Sequence, residues 1–141
     1  MRSSVKSLVI SIFLAAAVYA LHSEAAANES PRVRVTGIYS DMRSVPESGD
    51  ILGIEVFVLL SRSGYQVVFQ DAEGSPNVPT IVPAKIEKNR IEFDLPERQG
   101  YSGKFIGVIT NYDMRGEFTN GQLSSSGKKT FILKRGKSYW Q

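Results

Sequence analysis

The sequence predicts an all-β protein, an eight-stranded antiparallel up-and-down meander that forms a small barrel. Apolar and polar residues alternate along much of the chain, most clearly at residues 90–95, where Ile91, Phe93 and Leu95 alternate with charged residues. Gly, Pro, Ser and Asn separate the alternating stretches, and helical periodicity is hard to find beyond the N-terminal segment. Eight strands in about 110 residues can close a barrel just wide enough for side chains or one small ligand. A two-sheet β-sandwich is the alternative.

The alternating stretches give the strands in chain order. We expect them at residues 32–39, 51–60, 65–71, 80–87, 90–95, 103–110, 115–119 and 128–135. The second strand is apolar except at Gly53 and Glu55, so both of its faces need cover. We expect Phe57 and Leu59 to meet either a crossing loop or, in a weak homodimer, a second copy of the chain.

The connections between these strands alternate in length. Residues 40–50, 72–79 and 120–127 form long connections, and the connection at 96–102 is intermediate. Tight turns at 62–64, 88–89 and 111–114 lie between them. Successive connections of a meander fall at opposite ends, so the long ones should share one end of the barrel. Because loops on a rigid scaffold commonly carry function, we expect a binding site at that end.

The N-terminal segment has the pattern of a secretory signal peptide. Arg2 and Lys6 precede an apolar run at residues 8–21, and Ala25, Ala26 and Ala27 supply a small-residue cleavage site. The run is shorter than the roughly 20 apolar residues that a membrane-spanning helix needs. We therefore expect cleavage after Ala27, which leaves residues 28–141 as a single domain in the periplasm or outside the cell.

Residue usage limits the chemistry that the processed chain can perform. The one histidine, His22, lies in the segment expected to be removed, and the chain has no cysteine. Without imidazole or thiol there is no Ser-His or Cys-His nucleophile, no thiolate redox chemistry and no histidine or cysteine metal ligand. We expect no enzymatic activity, no cofactor and no metal. Glu92 and Asp94, on one strand face, leave a carboxylate-based hydrolase as the residual catalytic alternative.

Charge is distributed unevenly along the chain, whose net value is +3. No acidic residue follows Glu117. The basic residues after it are Lys128, Lys129, Lys134, Arg135 and Lys137. We expect them to form the solvated face of a terminal strand, with contact to anionic envelope polymers or acidic proteins as the alternative. No nucleic-acid recognition motif appears, so no nucleic-acid partner is expected.

Two short motifs resemble those of lipocalins. Gly37, Ile38 and Tyr39 are similar to the G-x-W of the first lipocalin strand, with Tyr in place of Trp, and Arg135 resembles the arginine that packs over that tryptophan. The strand pattern also resembles the wider calycin group of lipocalins, fatty-acid-binding proteins and avidin-like barrels. This resemblance implies that Gly37, Tyr39 and Arg135 close the barrel. The loop pattern, however, places Tyr39 at the long-loop end and Arg135 at the other, so we expect no contact between them.

A second resemblance covers three stretches of the chain. Residues 39–43, residues 49–50 with 53–55, and the C-terminal residues 133–140 resemble a group of small uncharacterised bacterial exported β-barrel proteins. This resemblance implies a domain that folds on its own. It implies no particular chemistry.

The function that these observations favour is non-catalytic binding of a protein partner or a small ligand in the cell envelope. The residues expected to form the site are Tyr39, Asp41, Met42, Arg43, Asp50, Glu73, Arg98 and Tyr101. One alternative is an exported inhibitor or immunity protein whose loops plug a hydrolase cleft. Another is a small-ligand carrier of calycin type, which requires a hollow barrel. Several large side chains are expected to point inward and fill the interior instead: Phe69, Phe93, Phe105 and Phe131.

Overall fold

A computed structural model describes residues 32–97, 100–120 and 130–141. All the regular structure in these residues is antiparallel β-sheet. The strands are β1 (Gly37–Ser40), β2 (Arg43–Ser44), β3 (Ile51–Ser61), β4 (Gly64–Gly74), β5 (Thr80–Glu87), β6 (Arg90–Leu95), β7 (Gly103–Ile109), β8 (Asp113–Asn120) and β9 (Thr130–Gly136). The predicted all-β class is confirmed.

The sheet closes on itself into a barrel. Each strand from β3 to β9 pairs with the next along the chain, and β1 pairs with both β9 and β3. The short β2 pairs with the start of β3 in the same register as β1, since Tyr39 lies opposite Val56 and Arg43 opposite Leu52. β1 and β2 therefore form one interrupted strand, and the predicted eight-stranded meander barrel is confirmed over the sandwich.

The interruption between β1 and β2 has a local cause at Asp41. The Asp41 amide donates to the carbonyl of Ile54 (3.1 Å), but the Ile54 amide donates to the side-chain Oδ1 of Asp41 (2.8 Å). Gly53 has φ of +118°, and a Cβ there would lie 2.7 Å from both the carbonyl oxygen and Oδ1 of Asp41. Only glycine fits this backbone and this close approach.

The first predicted strand has the wrong bounds. Residues 32–36 are not a strand, and β1 begins at Gly37. Val33 and Val35 alternate with polar residues because both pack against the core at one mouth of the barrel. The predicted long connection at 40–50 is also partly strand, and a hydrogen bond from the Val45 amide to the Asp50 carbonyl (2.8 Å) closes the remaining turn. β5 and β6 have the predicted bounds.

Aromatic rings fill the barrel. Phe69, Phe93, Phe105 and Phe131 are each at most 2% exposed, which confirms their predicted inward positions. Phe93 and Phe105 stack with ring centroids 4.8 Å apart. Two glycines that face each other across β7 and β8 make room for the Phe105 ring: a Cβ at Gly107 or Gly116 would lie 2.8 Å or 2.5 Å from ring atoms. Because these rings occupy the interior, the barrel core is packed.

The two ends of the barrel differ as predicted. The connections β2–β3, β4–β5 and β6–β7 lie at one end, here called the long-loop end, where β8 also ends and β9 begins. Residues 121–129, between β8 and β9, lie outside the described residues. The tight β3–β4, β5–β6 and β7–β8 turns lie at the other end, here called the short-turn end, where β1 also begins and β9 ends.

The C-terminal residues lie on the outer face of β3 and β4. The Ser138 hydroxyl (2.6 Å) and the Tyr139 amide (2.8 Å) donate to the Glu55 carboxylate, and the indole N–H of Trp140 donates to Gln70 (3.0 Å). Glu55 is only 8% exposed, whereas Phe57, two residues along the same face, remains 41% exposed. This tail therefore ties β3 to β4 without burying Phe57.

Candidate functional site

A pocket of about 120 Å³ opens at the long-loop end. The residues that line it are Arg43, Leu52, Gly53, Ala72, Glu73, Tyr101 and Phe131. Arg43, Glu73 and Tyr101 are three of the predicted site residues, and the fold brings them together from β2, β4 and the β6–β7 connection. Consecutive hairpins place β2, β3 and β4 side by side, with Leu52 opposite both Arg43 and Glu73, and the β6–β7 connection brings Tyr101 to the same rim.

Tyr101 separates the pocket from the core. It is 4% exposed, and its ring stacks on Phe118 with centroids 5.2 Å apart. The same ring meets Phe131 (5.4 Å) and Phe69 (6.3 Å) edge to face. Such aromatic pairs stabilise by about 0.5–1.5 kcal/mol beyond their burial. Tyr101 thus anchors the β6–β7 connection across the mouth and supplies a rigid wall of the pocket.

The other predicted residues of the interrupted strand stand beside the pocket. Asp41 is half-buried, and its carboxylate accepts a hydrogen bond from the Ile54 amide that a backbone carbonyl would accept in a regular strand pair. Met42 is also half-buried, and its amide donates to the Ser40 hydroxyl (3.1 Å). This bonding fixes the backbone just before Arg43, whose own side chain is exposed at the rim. The arginine is therefore held on a defined strand.

The turn between β2 and β3 adds acidic groups to this end. Asp50 is exposed, accepts a hydrogen bond from the Ser48 hydroxyl (2.7 Å) and lies next to Gly74 of β4. Glu47 on the same turn is also exposed. Together with Glu73 they give the described part of the long-loop end an acidic character around Arg43.

A buried carboxylate that we did not predict holds two long connections together. Asp71 has no exposed surface, its side chain accepts from the Asn77 amide (2.9 Å), and its carbonyl accepts from the Asn77 backbone (2.8 Å). Gly100, with φ of +90°, packs so closely on Asp71 that any Cβ would overlap its carboxylate. Side chains alternate between the two faces of β4, so the alternation that places Val67 and Phe69 inward also places Asp71 inward. The buried position of Asp71 could have been predicted from this alternation.

Tyr39 belongs to the short-turn end, and the expectation that it would not meet Arg135 is wrong. The two residues are register partners on β1 and β9, and the Arg135 guanidinium lies 4.8 Å from the centroid of the Tyr39 ring. The reason is the shifted first strand: the interrupted strand runs from Gly37 to Ser44, so Tyr39 lies in its first half, toward the short-turn end. Tyr39 is fully buried and lies away from the pocket.

The contacts of Arg135 close this end. Its Nη2 donates to the Tyr39 hydroxyl and to the carbonyl of Arg34, and its Nη1 donates to the carbonyl of Thr36 (3.0 Å). The Tyr39 hydroxyl in turn donates to the carbonyl of Val35 (2.8 Å). Burial raises the pKa of Tyr39, and the nearby guanidinium of Arg135 opposes that rise. Tyr39 and Arg135 are thus in contact as barrel-closing residues.

The predicted site residue Arg98 and the predicted carboxylate pair Glu92 and Asp94 do not belong to the pocket lining described above. Arg98 lies outside the described residues. Glu92 and Asp94 border a depression on the outer face, where Lys104 lies 4.0 Å and 3.9 Å from their carboxylates and Arg90 pairs with Glu92 at 2.9 Å. These contacts describe a network of surface charges along neighbouring strands.

Comparison of the chain with protein-family models, with curated proteins and with solved structures gave no match. Within residues 32–97, 100–120 and 130–141, His, Asp and Glu side chains form no group of three that could hold a metal ion. The same residues contain no helix long and apolar enough to span a membrane. The geometry of the pocket is therefore the basis for a functional proposal.

Proposed function

We propose that this chain is a non-catalytic exported protein of the cell envelope that binds a protein partner through the long-loop end of its barrel. The observation that carries the proposal is the pocket, in which Arg43, Glu73 and Tyr101 meet at the mouth of a filled barrel. The signal-peptide pattern supports export. The absence of cysteine, and of histidine beyond residue 22, supports binding rather than catalysis.

The size of the pocket favours a protein partner over a carried small molecule. Its volume of about 120 Å³ holds the equivalent of about four waters at 30 Å³ each. Pockets for drug-sized ligands usually measure about 300–1,000 Å³. The aromatic core beneath leaves little space for a ligand to enter further. One side chain of a partner fits a pocket of this size.

The chemistry of the rim indicates what that side chain offers. Leu52, Ala72 and Phe131 provide apolar walls, while Arg43 and Glu73 provide charges of both signs. A side chain with an apolar stem and a polar head can satisfy both features. The acidic groups of the adjacent β2–β3 turn favour a partner surface that is basic around this anchor.

Native mass spectrometry of the processed protein, purified gently from its own compartment, tests the proposal. We expect a bound protein with the wild type and its loss with Arg43→Ala or Met42→Ala, neither of which should lower the thermal midpoint. Arg62→Ala is the matched control, since Arg62 is also exposed but lies at the short-turn end. Equal loss in the control, or retention in Arg43→Ala, would contradict the proposal. A retained small-molecule mass would favour the calycin-type carrier instead.

One observation favours a second candidate, an inhibitor or immunity protein that plugs a hydrolase cleft. The β2–β3 turn is exposed yet held by hydrogen bonds from Val45 to Asp50 (2.8 Å), from Gly49 to Val45 (2.8 Å) and from Ser48 to Asp50 (2.7 Å). A preorganised turn loses little entropy when it enters a cleft. An assay of envelope-degrading hydrolases with added protein tests this candidate. It is supported if the wild type and Arg62→Ala inhibit the hydrolase and Glu47→Gln/Asp50→Asn does not.

A further inference from the structure

Exposed basic side chains surround the short-turn end. Arg62 lies on the β3–β4 turn and Lys88 on the β5–β6 turn, while Arg34, Lys134 and Lys137 lie where the chain enters β1 and leaves β9. The strand order spaces these three positions around the barrel rim. These five residues, here called the basic rim, belong to separate segments that only the closed barrel brings to one end.

The basic rim has few acidic neighbours within the described part of the chain. The ion pairs found there join Lys85 to Glu87, Arg90 to Glu92, Lys104 to Glu92 and Asp94, and Arg115 to Asp113, and none includes a basic-rim residue. Glu87 and Asp113 are the described acids nearest this end; each pairs with a cation outside the basic rim, and the pKa of the Asp113 carboxyl is lowered by Arg115 and also by Lys134, which lies opposite Asp113 in register. The described acids Glu47, Asp50 and Glu73 lie at the opposite end together with the bases Arg43 and Lys104, so among the described residues basic groups predominate only at the short-turn end.

Exposed apolar side chains accompany these charges. Tyr112, 81% exposed, lies on the β7–β8 turn, the one part of the rim that lacks a basic-rim residue. Leu60, 63% exposed, lies beside the β3–β4 turn on the other side of the barrel. Val33 and Val35 pack into the mouth between them, so this end is filled. A closed face with charges around it suits a broad planar partner better than an inserted peptide.

We propose that the short-turn end docks on the surface of a lipid bilayer that carries anionic headgroups. The charge complementarity is direct, because each Lys or Arg near such a surface strengthens binding by about fivefold. Tyrosine suits the bilayer interface, where its ring is shielded and its hydroxyl stays hydrated. Docking in this orientation leaves the long-loop end facing away from the membrane. The proposal does not depend on the proposed partner pocket.

Sedimentation with lipid vesicles tests the docking. Processed protein, with removal of the leader verified by intact mass, is mixed with vesicles of phosphatidylcholine alone or with added phosphatidylglycerol. We expect binding to the anionic vesicles only, and its loss at high salt. The double variant Arg62→Gln/Lys88→Asn should bind about 25-fold more weakly, fivefold for each charge. Asparagine is chosen at Lys88 because φ there is +58°, a conformation that asparagine tolerates.

A single variant at the long-loop end, outside the partner pocket, is the control. Lys104→Gln should bind anionic vesicles within about twofold of the wild type, because each basic-rim charge is retained, whereas Arg62→Gln alone should bind about fivefold more weakly. Equal weakening in Lys104→Gln and Arg62→Gln, or equal binding to neutral vesicles, would overturn the proposal. Capture by dextran sulfate without binding to vesicles would also overturn it and indicate a soluble polyanion. If Arg62→Gln/Lys88→Asn does not fold, Lys134→Gln/Lys137→Gln tests the same rim.

Discussion

Arg135 shows how one side chain can hold a barrel end together. Its guanidinium contacts the Tyr39 ring and hydroxyl and the carbonyls of Arg34 and Thr36, so it joins β9, β1 and the segment that precedes β1. A planar fork with several donors can make these contacts at once, whereas a lysine ammonium is a single point charge. The motif comparison with lipocalins identified Arg135 and Tyr39, but the contact between them became evident only in the folded chain.

Removal of this guanidinium should destabilise the protein. We expect Arg135→Ala to lower the free energy of unfolding by about 2–3 kcal/mol, because several partners lose a charged hydrogen-bond donor. Arg135→Lys should recover less than half of that loss. Urea denaturation measures both values, with the exposed Arg62→Ala expected to stay within about 0.5 kcal/mol of the wild type. Wild-type stability in Arg135→Ala would show that the closure depends on apolar packing alone.

Asp113 gives the protein a predictable response to acid. It is 3% exposed and accepts hydrogen bonds from Arg115 (2.8 Å and 3.0 Å) and from the Thr110 hydroxyl (2.8 Å). These bonds, first from Arg115 and then from Thr110, lower the pKa of its carboxyl below the ordinary value. A lowered folded-state pKa means that the carboxylate stabilises the fold above about pH 5, and that this contribution is lost as the pH falls below about 4.

The corresponding substitution should flatten the acid response. We expect Asp113→Asn to be less stable than the wild type at neutral pH and to lose less stability as the pH falls below about 4. Thr110→Val, which removes one of the two donors, should give an intermediate slope. Urea unfolding at a series of pH values measures these slopes. Parallel curves for wild type and Asp113→Asn would mean that other carboxyl groups control the acid response.

At the scale of elements, the interrupted first strand decides where the pocket lies. The predicted strand at 32–39 followed a real alternation, but Val33 and Val35 fill a barrel mouth, and the strand itself runs from β1 through Asp41 into β2. Alternation reports which side chains are buried and does not report whether neighbouring backbones pair. The pairing partner was therefore needed to set the bounds, and with them the position of Arg43.

Gly53 is the residue on which this interruption depends. We expect Gly53→Ala to lower the free energy of unfolding by about 3 kcal/mol, because positive φ strains alanine and its Cβ would meet Asp41. Gly49→Ala is the matched control: φ is +77° there, but a Cβ would have no neighbour within 4 Å. The control should cost about 1 kcal/mol, from backbone strain alone. If both variants lose the same free energy of unfolding in denaturant, Asp41 moves away from the added methyl group at little cost.

At the scale of the whole molecule, the aromatic core determines what the barrel can hold. Phe105 is fully buried, stacks on Phe93 and rests against Gly107 and Gly116. Because the rings meet one another across the interior, strands that are distant in sequence contribute to a single packed unit. A barrel of this kind is a scaffold that presents its two ends: among the described residues, one end carries the pocket and the other carries the basic rim.

Creation of space in this core should be costly and detectable. We expect Phe105→Ala to lower the free energy of unfolding by about 3–5 kcal/mol, the usual range when a buried ring is removed. The variant should take up xenon or benzene into the new cavity, whereas the wild type should not. Denaturant unfolding and xenon NMR measure the two effects. Uptake of these probes by the wild type would instead indicate a hollow barrel and a carrier function.

The fold class, the order of the strands, the inward phenylalanines and the shared end of the long connections could all be predicted from the sequence alone. These follow from local rules: a period of two, turn residues and the alternation of a meander. Which distant residues meet became evident only in the folded chain. The start of β1 and the contact of Tyr39 with Arg135 depend on the pairing of β1 with β9, which lie far apart in the chain. The grouping of Arg43, Glu73 and Tyr101 depends on how β2, β4 and the β6–β7 connection pack at one end of the barrel. Register is set by the closed barrel, since each strand must satisfy two neighbours at once.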